Sequence, residues 1–338
     1  MRRPDAQTVF LGSAILGSLV LVAYLTLWHG DGQAESPVPR GAALSLRDIS
    51  FDGARACQFL QDLCALGPRP SGSEGMARQQ RMLSEHFRGL GGSVERQEFR
   101  VRDPRDGRPL TMTNLIVPWH PERRERILLC AHYDTRPWPD RDPDPRQRRG
   151  VFLGANDGAS GVAVLAELAR HMPKLDIRYG VDFALFDGEE FVFDDQRDRY
   201  FLGSEYFARQ YVAQPPPHRY RWGVLLDMVG DTHLEIYQEG YSVGWADTRP
   251  LVRDIWATAA RLGVTEFIAR PRHYLRDDHL MLHDIAGIPT CNIIDFDYVR
   301  PGTRQSSWHT TADTPDKCSA LSLAKVGWVV LEWLKQVP

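Results

Sequence analysis

The chain carries little excess charge of either sign. Its 41 Lys and Arg face 44 Asp and Glu over 338 residues, so nothing in the balance argues for nucleic acid or another acidic polymer as a partner. Cysteine is scarce too, with only Cys57, Cys64, Cys130, Cys291 and Cys318. No CxxC pair marks a structural zinc site, and an odd count leaves at least one thiol unpaired in an exported domain. Cys57 and Cys64 fall two turns apart on a predicted helix, too distant for a bond. Cys130 and Cys291 lie inside apolar strand candidates and read as core. No internal repeat is present. One stretch lacks charge altogether, from Thr8 to Trp28, with Arg2 and Arg3 before it. As a helix, 8–28 is long enough to span a bilayer. The arginines favour a cytoplasmic N-terminus of residues 1–7, with the rest of the chain beyond the membrane. A cleaved signal peptide is the other reading, using the small residues around Ala34. A buried core helix fits less well, because no polar face recurs. The expected protein is therefore a single-pass, membrane-anchored one whose main domain is periplasmic, extracellular or in a secretory lumen.

What is present supports one large α/β domain. Hydrophobic residues make up 43% of the chain, ample for a core. Residues 29–45, rich in Gly, Pro and Ser, read as a linker, and 46–338 as the folded domain. Helices are predicted over 53–66 and 74–89, separated by the turn signal Gly67-Pro68-Arg69-Pro70-Ser71-Gly72. Strands follow at Ser93–Arg100 and Asn114–Val117. Apolar runs then alternate with helical patterns. The strands are Ile127–Ala131, Val181–Phe186, Val224–Met228 and Thr290–Ile294, and the helices 159–172, 203–212, 250–262 and 319–335. Such alternation implies a mixed, mainly parallel central sheet with helices on both faces. The segment Arg136–Arg149, dense in Pro, Asp and Arg, reads as a polar surface loop.

Ligands of such sheets gather at the carboxyl ends of the strands, and an ordered set of metal-binding residue types falls there. His132 ends a strand, with Asp134 two residues on, where a carboxylate can accept the second ring proton and fix the tautomer. Taken alone, the pair is also what a surface histidine beside a turn aspartate would give. Asp157 sits in a glycine-lined turn before a helix, where by itself it would read as an N-cap. Asp187, Glu189 and Glu190 crowd the end of a buried strand. A dication would offset their repulsion, though a solvated acidic loop is the blander account. Asp227 interrupts the run Val224–Gly230 and needs a partner there. His309 opens a loop after the last strand. A zinc hydrolase site needs one carboxylate on the metal and a second, unligated one to move protons. The adjacent Glu189 and Glu190 can divide those tasks.

Taken together, the motifs His132-Tyr133-Asp134, Asn156-Asp157-Gly158, Glu189-Glu190, Leu226-Asp227-Met228-Val229-Gly230, Asp277-Asp278-His279, Gly287-Ile288-Pro289 and Trp308-His309-Thr310 resemble those of the zinc aminopeptidase and glutaminyl cyclase family. The resemblance covers about residues 50–338 and implies a zinc-exopeptidase-like α/β domain acting on peptide or protein N-termini. For the single-zinc cyclase branch it implies Asp157, Glu190 and His309 as ligands. For the two-zinc aminopeptidase branch it adds His132 and Asp227, with Asp157 bridging. Asp187-Gly188-Glu189-Glu190-Phe191, Asp277 and Trp308 are similar to the cyclase pattern. The peptidase-like Asn156–Gly161 loop, and Asn292 where cyclases tend to carry a histidine, point the other way. The cyclase branch is favoured. It implies zinc-dependent conversion of N-terminal glutamine to pyroglutamate with loss of ammonia, Glu189, Asp227 and Asp277 handling protons, and Trp308 walling the pocket. The alternatives are a two-zinc aminopeptidase, in which Glu189 activates a bridging water, and a silent binding domain, which the intact Glu189 argues against.

Overall fold

The computed structural model describes residues 44–297 and 306–337, which fall in one compact unit, Leu44–Pro338. The predicted span Thr8–Trp28 lies outside the described residues, as does the linker up to residue 43. Among the described residues no helix is long and apolar enough to cross a membrane.

The strands are β1 (Glu95–Arg102), β2 (Pro109–Trp119), β3 (Glu125–His132), β4 (Gly180–Phe186), β5 (Arg219–Asp227), β6 (Ile236–Glu239), β7 (Phe267–Arg272) and β8 (Thr290–Ile294). Six of them form one sheet in the order β1-β2-β4-β3-β5-β8. β4, β3, β5 and β8 run parallel, and β1 and β2 add an antiparallel edge. β4 is buried at every position and β3 at all but its first, as expected for strands covered on both faces. β6 and β7 pair separately. They went unpredicted, because β6 has four residues and β7 exposes most of its length around Pro271.

The helices are α1 (Gly53–Ala65), α2 (Glu74–Gly89), α3 (Ser160–Leu168), α4 (Leu202–Ala213), the short α5 (Gly240–Gly244), α6 (Arg249–Leu262), α7 (Asp278–Ala286) and α8 (Ala320–Leu334). Asp52 and Ser73 cap α1 and α2 through the amides of Arg55 and Met76, the local signal that starts a helix. One face of the sheet packs under α1, α2, α3, α6 and α8 through residues such as Leu60, Phe87, Val164, Ile255 and Val330. Phe207 of α4 and Leu282 of α7 pack on the other face against Leu128, Cys130, Phe186 and Leu225. Helices thus cover both faces. α3 comes close to β5: a Cβ at Gly161 would lie 2.1 Å from the Leu226 carbonyl oxygen, so this contact requires glycine. All five cysteines are free, and Cys130 and Cys291 are core residues with thiols pushed up by burial.

Two expectations need correction. α7 covers a segment read only as a motif, not as a helix. The loop over 136–149 is not wholly a surface element, because Arg136 and Asp142 are buried in it.

Candidate active site

The four parallel strands end on one side of the sheet. His132 is the last residue of β3 and Asp227 the last of β5. β4 ends at Phe186 and turns through Gly188, at φ +76°, into Glu189 and Glu190. Asp157 enters from the turn before α3, and His309 from the loop before α8. His132 Nε2 lies 3.2 Å from an oxygen of Asp157 and 3.2 Å from one of Asp227. His309 Nε2 lies 2.7 Å from Glu190 and 3.5 Å from Asp157. One donor atom each of His132, Asp157 and Glu190 falls within 4.8 Å of the others. The five predicted residues therefore converge, with Asp157 in the middle.

Asp157 does not cap α3, whose cap position is Ala159. Its backbone and that of Asn156 are held by Asp313, which accepts both amides at 3.1 and 2.8 Å. Asp134 also acts differently from expectation. It stands 3.7 Å from His132 Nδ1, beyond a hydrogen bond. Instead it accepts the amides of Glu189 and Glu190 at 3.1 and 3.0 Å, fixing the two-glutamate turn. Arg136 donates its amide to Glu190 at 3.1 Å, and its guanidinium sits 3.8 Å from the same carboxylate while pairing with Asp140 and Asp195. Asp140 in turn faces His309 Nδ1 at 3.6 Å. Arg136, Asp140 and Asp313 were not singled out in the sequence. For Arg136 and Asp140 the one signal was charge density in the 136–149 segment, which composition alone assigns to solvent; Asp313 gave none.

Carboxylates outnumber cations in this cluster. Burial, then the charge of Glu190, hold Asp157 well above the usual carboxylate range. Burial also raises Glu189, with Glu190 and Asp277 adding to it against the opposing pull of His132. Asp277 is pushed up to about 7 by burial and by Asp227. Burial opposes ionisation of Glu190 as well, but His309 and Arg136 bring it down to about 2. Burial opposes charging His132, yet Asp134, Asp157 and Asp227 together hold its ring well above the ordinary value. Asp277 caps α7 through the Asp278 backbone amide and accepts from the Asn292 side-chain Nδ2 at 2.7 Å.

Asp157, Glu189, Glu190, Asp227, Asp277, Trp308 and His309 all line one cavity of about 410 Å³. The Trp308 indole lies 4.1 Å from the His309 ring and packs edge-on against Phe296. Three residues of this wall, Phe201, Met228 and His309, adopt positive φ without being glycine, the kind of strain that collects at functional sites.

The donor set fits zinc. Imidazole and carboxylate are its usual nitrogen and oxygen ligands. Asp157 Oδ2, 3.5 Å from His309 Nε2, is buried with no hydrogen-bond partner among the described residues, and a crowd of buried carboxylates calls for a cation.

Comparison with known proteins agrees. Peptidase family M28 matches residues 114–334. The crystal structure of Fimbriiglobus ruber glutaminyl cyclase superposes with a TM-score of 0.79 at 39% identity, covering 89% of this chain and 99% of that one. A leucine aminopeptidase precursor from Bacteroides thetaiotaomicron superposes at 0.77 with 31% identity, covering 85% and 98%. The glutaminyl-peptide cyclotransferase of Gloydius blomhoffii is 27% identical over 312 residues, 79% of this chain and 77% of that protein. With its motifs gathered at the strand ends and the family match spanning most of the folded domain, the chain belongs to peptidase family M28.

Proposed function

We propose that the protein is a zinc-dependent glutaminyl-peptide cyclotransferase that converts the N-terminal glutamine of peptides to pyroglutamate and releases ammonia. The observation that carries this reading is the trio Glu189, Asp227 and Asp277 in one cavity wall beside the donor set. Like charges so placed cannot all ionise, so at least one carboxyl keeps a proton near neutrality. Intramolecular aminolysis needs such a relay, because the proton leaving the amine must reach the departing ammonia. The 39% identity to a solved glutaminyl cyclase supports the same reading.

In this reading Asp157, Glu190 and His309 hold one zinc. His132 and Asp227, which the two-zinc alternative would add as ligands, lie 3.2 Å apart beside Asp157. Zinc held by these residues would supply Lewis-acid polarisation of the γ-carbonyl. Trp308 walls the glutamine side chain and orients it. The α-amine attacks the γ-carbon within one molecule, so proximity supplies much of the acceleration. Glu189 accepts a proton from the amine and returns it to the leaving nitrogen, with Asp277 raising its proton affinity and Asp227 completing the carboxylate trio. The substrates are peptide or protein N-termini. We also propose that Thr8–Trp28 anchors the domain, which then works outside the cytoplasm.

Incubating the full-length protein with Gln-peptides and Leu-arylamides side by side tests the reading. Ammonia and pyroglutamate from the first, with no arylamine from the second, is the expected result. Release of free leucine would establish the two-zinc aminopeptidase in its place.

A further inference from the structure

The mouth of the cavity differs in charge from its floor. The floor is acidic and mostly buried, whereas Arg141 and Arg276 line the same cavity and are exposed. Arg141 is already engaged, 3.5 Å from Asp195 and 4.4 Å above the Trp308 ring. Arg276 is not. Among the described residues its guanidinium meets rings rather than carboxylates, 6.0 Å from Tyr200 and 5.9 Å from Phe201. It is nevertheless fixed in place at its base. The next residue is Asp277, tied to Asn292 and to the start of α7, and Phe201 is buried with a left-handed backbone. Tyr274, on the same rim, is 72% exposed.

We infer that this rim selects substrates carrying a carboxylate just beyond the N-terminal glutamine, and that Arg276 is the specificity-determining residue. The inference rests on the cyclase reading. If the glutamine occupies the floor, the second and third residues leave through a mouth lined by Arg276 and Tyr274 together with Arg141 and Asp195, and of its two guanidiniums only that of Arg276 faces no carboxylate among the described residues. A carboxylate there pairs with an otherwise unpaired guanidinium, while an ammonium meets a like charge. The pair is exposed and salt-screened, so it discriminates by a modest factor rather than deciding activity. Two sources share this chemistry, an acidic side chain and the free C-terminus of a short peptide.

The test uses full-length enzyme, ammonia release, the amidated tripeptides Gln-Glu-Ala, Gln-Ala-Ala and Gln-Lys-Ala, and the dipeptide Gln-Ala as free acid and as amide. The Glu peptide should exceed the Lys peptide in kcat/KM by about three- to ten-fold at low salt, with the ratio shrinking in about 0.5 M salt. Arg276→Lys should keep the ratio, Arg276→Ala should bring it near one, and Arg276→Glu should invert it. A free acid faster than its amide extends the site to terminal carboxylates. Equal rates for those two, with the Glu preference intact, confine it to side chains. Equal kcat/KM for the Glu and Lys peptides, or a ratio that survives Arg276→Ala, overturns the inference. If none of the peptides is cyclised, the cyclase reading fails and takes this inference with it.

Discussion

Both ends of the main sheet bury charge, but only one end leaves it unbalanced. At the amino ends of the parallel strands, Arg126 of β3 and Asp182 of β4 form a buried pair, Nη2 to Oδ1 at 2.5 Å and Nε to Oδ2 at 2.9 Å. Tyr220 of β5 donates to the same carboxylate at 2.6 Å, and the guanidinium also reaches the carbonyls of Trp119, His120, Arg123 and Val181. A cavity of about 370 Å³ lies there, close in size to the one at the other end. At the carboxyl ends, Asp157, Glu189, Glu190, Asp227 and Asp277 line or border one cavity and face fewer cations. Cavity size therefore does not separate a structural cluster from a catalytic one. Charge balance does, because a protein that buries surplus carboxylates without a cation loses stability for nothing.

The predictions sharpen this contrast. The largest effect belongs to the unbalanced end: His309→Ala or Glu190→Gln should lose zinc by elemental analysis and pyroglutamate formation with it, and full zinc occupancy in either variant would remove that residue from the ligand set. At the balanced end, Asp182→Ala strands the Arg126 guanidinium and should cost about 3–5 kcal/mol in denaturant unfolding. Turnover per folded molecule should stay unchanged; a drop in kcat at full folding would mean that this end too serves the reaction. Glu189→Gln should lower kcat by about 100-fold or more, the scale of losing a proton-transfer group. The smallest effect is on pH dependence. Glu189 must be ionised to accept a proton, and its raised pKa means that activity climbs as pH rises through that value. The charge of Asp277 contributes to the rise, so Asp277→Asn should move the acid limb of kcat/KM to lower pH. A limb that stays fixed or moves upward would show that the two carboxyls do not communicate.

Much of this was legible in the sequence where local pattern decides structure. Thr290–Ile294 is the strand expected, Val181–Phe186 lacks only Gly180, and the helix over 319–335 is Ala320–Leu334. Apolar runs and capping residues carry that information. The five site residues were legible as types in order: His132, Glu190 and Asp227 sit at or just beyond strand ends, and Asp157 and His309 come from the loops before α3 and α8. What was not legible depends on partners distant in sequence. Arg136 reads as solvated until Glu190, 54 positions away, is placed against it. Asp134 reads as the hydrogen-bond partner of its near neighbour His132, yet it stays 3.7 Å from that ring and accepts the Glu189 and Glu190 amides. α7 was missed because its nine residues are short for a periodic signal and its three buried residues, Asp278, His279 and Leu282, form no apolar stripe.

The central claim is that the carboxylate-rich end holds zinc through Glu190 while Glu189 stays free to move protons. Zinc content and ammonia release measured together on wild type and Glu189→Gln test it most directly. The account predicts one zinc per chain in both proteins and, from Gln-peptides, rapid ammonia release by wild type alone. Loss of zinc from Glu189→Gln, or near-normal ammonia release by it, would contradict the account.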